Sequence, residues 1–264
     1  MSVAADLRDI AVSLAREAGD MALHGRKNGT LTLHTKSSPV DMVTQYDKAS
    51  EDMITAGLAK LRPHDAIVGE EGASTAGTSG ITWHIDPIDG TTNFMYDLPT
   101  WAVSIGAVDE HGPLAGAVYA PALGEMFSAA RGNGAHVNHT PLAVRRCEDV
   151  SQALIATGFS YNVSGRGPHA QRVARMLMTV RDVRRMGAAA IDLCFVAAGR
   201  IDAYFEEGLN SWDLVAGQLI ATEAGAFVTN FHGDAVVPEQ VLACSPELHP
   251  HMVRLIEEST QPQT

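Results

Sequence analysis

Asp86-Pro87-Ile88-Asp89-Gly90-Thr91-Thr92-Asn93 sets two carboxylates three residues apart, across a proline, just before a glycine and two hydroxyl residues. Hard oxygen ligands of this kind suit a divalent cation. The Ile88 carbonyl lies between the aspartates and can add a ligand. Gly90 permits unusual backbone angles and close approach of an anion, and Thr91 and Thr92 can cap a helix turn or hold a water. Backbone N–H groups where a helix opens suit a phosphate. Cation and phosphate together are the chemistry of metal-dependent phosphate ester hydrolysis, provided further carboxylates converge. Asp47, Glu70, Glu71 and Asp213 are the candidates. Each has a plainer reading: a capped turn at Asp89-Gly90, a solvated acidic pair at Glu70-Glu71, and helix-start acids facing the macrodipole at Asp47 and Asp213. The discriminating feature is their combination, with each at the end of an element.

The elements that must position these groups follow from the hydrophobic pattern. Ile81-Thr82-Trp83-His84-Ile85 alternates and reads as a strand delivering Asp86, which Pro87 holds extended. Ala66-Ile67-Val68 reads as a strand ending at Gly69-Glu70-Glu71, and residues 72–80 as a surface loop. A first helix spans Ala4 to about His24, with Leu7, Ile10, Leu14, Ala18 and Met21 on one face, and ends at Gly25 to Gly29. A second runs from about Tyr46 to Leu61, with Met53, Ile54 and Leu58 inward, and is closed by Pro63. From Trp101 to Val137 apolar runs alternate with Gly and Pro turns, as in an antiparallel meander. Arg131-Gly132-Asn133-Gly134 is a hairpin turn in this reading, because no helical pattern follows to make it a nucleotide loop.

After about Pro141, strand and helix alternate. Strands are expected at 154–157, 202–206, 226–228 and 241–243, and helices at 168–180, 188–198, 212–224 and 246–258. The 188–198 helix is apolar on most faces and hence buried. His249-Pro250-His251 reads as an exposed turn before the last helix. The result is an α+β N-terminal half and an α/β C-terminal half of layered sheets and helices.

Composition narrows the partners. The 264 residues suffice for one large domain or two lobes sharing a core. Net charge is −12, so the backbone of a nucleic acid would be repelled, although metal ions can still attract a phosphate ester locally. Met1 to Asp20 carries charges throughout and reads as neither signal peptide nor membrane span. Cys147, Cys194 and Cys244 lie far apart, odd in number, which suggests reduced, mostly buried thiols in a cytoplasmic protein.

Taken in order, Gly69-Glu70-Glu71, the block from Trp83 to Phe94, Trp212-Asp213-Leu214-Val215-Ala216-Gly217 and Glu223-Ala224-Gly225-Ala226 resemble the inositol monophosphatase family, within the lithium-sensitive, magnesium-dependent phosphatases. Lys36 to Asp41 with Val43 to Asp47 looks like that family's N-terminal segment. The resemblance runs from the first helix to the last. It implies one domain over 1–264, with lobes of about 1–140 and 141–264. It also implies an α+β fold, a layered αβαβα sandwich of the inositol monophosphatase / fructose-1,6-bisphosphatase type, and a homodimer.

The resemblance further implies two or three Mg2+ ions held by Glu70, Asp86, the Ile88 carbonyl, Asp89 and Asp213. Glu70, Thr91 and Asp47 would be catalytic, Asp47 orienting Thr91 and helping to place a third, weaker ion. Asp89, Gly90, Thr91, Gly187, Ala188, Ala189, Glu206 and Asp213 would bind substrate, Glu206 through hydroxyls of the leaving alcohol. Lys36 matches a basic residue near the active-site flap. The family often has a hydroxyl residue where Ala188 stands. The implied reaction is direct hydrolysis of a small phosphorylated polyol, foremost myo-inositol 1-phosphate. Sister branches act on histidinol phosphate, 3′-phosphoadenosine 5′-phosphate or fructose 1,6-bisphosphate. A regulatory protein-binding role is the alternative of another class.

Overall fold

Helix α1 (Val3–Asn28) is capped by Ser2, whose hydroxyl accepts the Ala5 N–H. The structure, a computed structural model, describes residues 2–35, 42–160 and 165–260, so Lys36 lies outside the described residues. α1 ends within the expected stretch, at Asn28 with Gly29 as its C-cap, and so runs on through Gly25. That glycine serves close packing instead: a Cβ there would overlap the Tyr46 ring, and the Tyr46 hydroxyl donates to the Gly25 carbonyl at 2.9 Å. The short hairpin of β1 (Leu33–Thr35) and β2 (Met42–Thr44) leads into α2 (Gln45–Leu61), which opens with a reciprocal Thr44–Asp47 capping box. Ile54 and Leu58 are buried as expected, but Met53 faces solvent. The buried stripe of α2 is polar in its first turns (Asp47, Ser50, Glu51), so a search for apolar residues misplaces the inner face.

The next elements are β3 (Ala66–Gly69), β4 (Ser74–Thr75), β5 (Thr82–Asp89), α3 (Thr91–Met95), β6 (Ala102–Asp109), β7 (Gly112–Ala120), β8 (Glu125–Ala130), β9 (Ala135–Val137) and β10 (Thr140–Pro141). Their strands form one eight-stranded sheet in the order β10-β9-β8-β7-β6-β5-β3-β4. β4 lies in the stretch expected as loop. The meander from β6 to β9 and the hairpin turn at 131–134 are as expected. Strands β3 and β5 are parallel, with Gly69 opposite Ile85, so Glu70 and Asp86 leave the same end of adjacent strands.

The second sheet is built from β11 (Leu154–Thr157), β12 (Asp182–Arg184), β13 (Ala203–Glu207), β14 (Phe227–Thr229) and β15 (Gln240–Cys244), in the order β12-β11-β13-β15-β14. Helices α4 (Arg166–Met176), α5 (Ala189–Ala197), α6 (Ser211–Glu223) and α7 (His249–Thr260) complete the chain. Strand β12, mixed in polarity and only three residues long, was not foreseen. His249 is not in an exposed turn. It opens α7, with its Nε2 2.8 Å from the Thr229 hydroxyl and its ring edge-on to Phe227.

Five layers result, with α1 and α2 outside the large sheet, α5 and α6 between the sheets, and α4 and α7 outside the small one. Every residue of α5 is buried, as its largely apolar sequence leads one to expect, and the burial takes in Asp192 as well. Helix α6 lies so close to the large sheet that a Cβ on Gly106 would come within 2.5 Å of Val215, and one on Gly116 within 3.0 Å of the Ala216 backbone. The three cysteines are buried and unpaired.

Asp65 ties β3 to β5. Its carboxylate accepts from Arg62 Nε (2.8 Å), the Ser79 hydroxyl (2.6 Å) and the indole N–H of the fully buried Trp83 (2.9 Å). Burial works to raise its pKa, but these bonds outweigh burial and hold it below the ordinary value. Asp65→Ala is expected to cost about 1–3 kcal/mol, mainly by orphaning the indole N–H, read as a lower urea midpoint at unchanged m. Because the folded pKa is depressed, the ionised group stabilises above the ordinary carboxyl pKa of about 4. Its contribution is lost as pH falls through the folded value, so the gap between wild type and variant should narrow in acid.

Candidate active site

Between Asp86 and Asp89 the pairing of β5 with β6 slips register. Pro87 has no N–H for the ladder, and Asp86 Oδ1 accepts the Ile88 N–H at 3.0 Å instead. Gly90 then takes φ +86°, a left-handed conformation that other residues adopt at a cost, and the chain turns into α3. The Thr91 hydroxyl lies 3.1 Å from the Ile88 carbonyl and 3.3 Å from Asp47 Oδ1, with one proton to give to either. Asp47 Oδ2 accepts from the Thr44 N–H (2.8 Å) and hydroxyl (2.6 Å). Asp47 is therefore fully buried behind Thr91 and does not line the cleft.

The C-terminal half supplies the facing wall. Asp89 accepts from the N–H groups of Ala189 (3.2 Å) and Ala190 (2.7 Å), and so caps α5. Asp213 is the third residue of α6 and accepts the Asn210 N–H at 2.7 Å. The start of α6 is tied to the large sheet by a 2.8 Å contact between His84 Nδ1 and the Ser211 hydroxyl and by the Ser104 hydroxyl donating to the Trp212 carbonyl. Glu206, near the end of β13, accepts the Tyr204 hydroxyl at 2.7 Å. One cleft of about 370 Å3 is lined by Glu70, Asp86, Ile88, Asp89, Gly90 and Thr91 on one side and by Gly187, Ala188, Ala189, Glu206 and Asp213 on the other.

Electrostatics shows what this cleft wants. Burial, then the charges of Glu70, Asp89 and Asp213, push Asp86 well above the usual carboxylate range. Burial and Asp213 likewise raise Asp89 against the pull of the Ala190 N–H. Burial, opposed by the Asn210 N–H but assisted by Glu70 and Glu206, brings Asp213 to about 7. Carboxylates that hold one another's protons on are relieved by a cation between them. The donors are all hard oxygens, which suits Mg2+. Among the described residues no three His, Cys, Asp or Glu side chains close around one point. An ion that keeps several of its waters needs no such closed cage.

Arg185 was not foreseen. It is the only Lys or Arg among the described lining residues; burial raises the pKa of Glu206, and the Tyr204 hydroxyl and the Arg185 charge oppose that rise only in part. The signal available was the Arg184-Arg185 doublet, one residue short of Gly187. Asp192 was also missed. It is fully buried in α5 with no hydrogen-bond partner for either oxygen among the described residues, and burial, then Glu206 and Asp89, drive its pKa well up.

The sequence profile of the inositol monophosphatase family matches residues 4–261. The chain is 45% identical over 243 residues to inositol-1-monophosphatase SuhB of Mycobacterium tuberculosis, covering 85% of this chain and 83% of that protein. It is 40% identical over 227 residues to Nus factor SuhB of Pasteurella multocida, covering 85% of each. The solved structure of the extragenic suppressor protein suhB from Bartonella henselae superposes with a TM-score of 0.91 at 32% identity, covering 96% of this chain and 99% of that one.

A cation that relieves the carboxylate cluster must stabilise the fold. At tenfold its Kd, Mg2+ should add about 1.4 kcal/mol, a rise of roughly 3–5 °C in Tm for a chain this size. Asp86→Asn keeps the acceptor for the Ile88 N–H and removes a repelled charge. Thermal melts in EDTA and in Mg2+ should show it more stable than wild type without metal, and nearly indifferent to magnesium.

Proposed function

The chain belongs to the inositol monophosphatase family, a family of phosphoric monoester hydrolases, and from that premise we propose magnesium-dependent hydrolysis of a phosphorylated polyol, foremost myo-inositol 1-phosphate. The observation that carries the reading is the convergence of Glu70, Asp86, Asp89 and Asp213 on one cleft whose far wall holds Glu206. Glu70, Asp86, the Ile88 carbonyl, Asp89 and Asp213 would hold two or three Mg2+ ions, which supply Lewis-acid stabilisation and lower the pKa of water. The protein's own groups do the rest. Glu70 and the Thr91–Asp47 pair orient the attacking water. Backbone N–H groups of Gly90 and Thr91 hold phosphate oxygens. Glu206, oriented by Tyr204, accepts from a hydroxyl of the leaving alcohol, and Gly187, Ala188 and Ala189 shape the wall around it. With alanine at 188, the pocket lacks the hydroxyl contact frequent in the family.

On this reading the two lobes, about 1–140 and 141–264, form one catalytic domain, the first giving Glu70, Asp86 and Asp89 and the second Glu206 and Asp213. A cytoplasmic homodimer inhibited by lithium belongs to the same proposal. No helix among the described residues is long and apolar enough to cross a membrane. A relative named as a Nus factor supports a second role, in which the protein also binds a regulatory partner.

The deciding experiment is phosphate release from myo-inositol 1-phosphate, histidinol phosphate and 3′-phosphoadenosine 5′-phosphate, with and without Mg2+. Wild type should turn over the inositol ester only with magnesium. Asp89→Asn should lose about 100-fold or more in kcat/KM, equal to about 2.7 kcal/mol. Preference for another ester would move the chain to a sister branch. No turnover on any of the three would shift the weight to the regulatory role.

A further inference from the structure

We propose that the buried polar face of α2 is the positioning device of this site, with Glu51 and Ser50 as positioning residues for the metal-holding segments. The proposal rests on the magnesium-dependent reading above. Asp47, Ser50 and Glu51 follow one another at i, i+3 and i+4, so they share a face of the helix. Each reaches a different segment of the site. Asp47 meets Thr91, as described. The Ser50 hydroxyl donates to the Pro87 carbonyl at 3.1 Å, inside the bulge that separates Asp86 from Asp89. Glu51 spends both oxygens on the turn after Glu70: Oε2 accepts the Glu71 N–H at 2.8 Å and Oε1 the Ala73 N–H at 3.0 Å.

The Glu70 backbone is thereby held from two sides. Its own N–H donates to the Ile85 carbonyl, one residue before Asp86, and the turn that follows it is clamped by Glu51. Gly69 leaves room for the clamp, since a Cβ there would collide with Glu51 Oε2. Glu51 is only 2% exposed and Ser50 is fully buried. A helix needed only for packing would bury aliphatic residues, as α2 does later at Ile54 and Leu58, because burying a carboxylate is costly. These contacts with the site's segments all come from the first two turns of α2. Groups that orient metal-holding residues typically matter 10–100-fold in metal affinity or activity.

The test is a Mg2+ titration of wild type, Glu51→Gln, Ser50→Ala and Gly69→Ala, read both as the shift in Tm and as phosphate release from myo-inositol 1-phosphate. Glu51→Gln turns one acceptor into a donor facing a backbone N–H. It should raise the Mg2+ concentration for half-maximal shift and for half-maximal turnover about tenfold or more, with a smaller loss of turnover at saturating metal. Gly69→Ala, which displaces the same carboxylate from the other side, should move both midpoints in the same direction, and Ser50→Ala should do so to a lesser degree. Lower metal-free Tm with unchanged Mg2+ midpoints in these variants would make α2 a merely structural helix and overturn the proposal. If Glu51→Gln does not fold, Ser50→Ala decides, since it removes a single hydrogen bond. A wild type that ignores magnesium in both readouts would overturn the phosphatase reading itself, and this proposal with it.

Discussion

The mutual repulsion of buried carboxylates at the mouth between the two sheets is the constraint that the rest of the structure answers. Asp86 and Asp89 are each pushed above their ordinary ionisation range by burial and by one another's neighbours, and Asp213 is brought to about 7. Left to themselves such groups would separate into water. The surrounding fold holds them together through bonds that are not available to loosely attached side chains. Asp89 is held by two N–H groups of α5, Asp213 by its own capping box, and Asp86 by the turn across Pro87.

The layering supplies the force for this. Helices α5 and α6 lie between the sheets, where small residues allow close approach, and their burial brings their N-terminal ends to the cleft. The N-terminal ends of helices carry positive partial charge, so two of them aimed at acids offset part of the repulsion. On the other side of the large sheet, α2 contributes buried polar groups where an ordinary core helix would contribute aliphatic ones. The energy of packing α1, the later half of α2 and the large sheet together makes that substitution affordable. Rigidity at the cleft is thus drawn from apolar contacts at a distance from it.

The proposed catalysis fits this arrangement because the site is made of element ends. Glu70 and Asp86 leave parallel neighbours at the same edge, Thr91 opens a helix, and Asp213 sits in the first turn of another. Each of these groups is set at the end or start of a regular element, while the loops between them need only complete the pocket. Arg185, two residues before Gly187, gives the cleft a positive counterweight near Glu206.

Much of this was legible in the chain alone, because local physics dictates it. Alternation exposes the meander, a proline after the first of two aspartates marks a strand end, and a Trp-Asp pair before an apolar run opens a helix. The order of those blocks pointed to the family, and the acids that line the cleft could be named by number. What the chain alone hid were long-range bonds that leave no periodic trace. Gly25 proved to be a seat for Tyr46, Met53 looked inward and faces solvent, and Glu51, which no pattern singled out, holds the Glu71 N–H. Hydrophobic patterning reports which residues avoid water. It cannot report which polar residues are buried because a distant backbone N–H awaits them, so the convergence of the acids, the role of α2 and the placing of Arg185 were decided only when the sheets closed on each other.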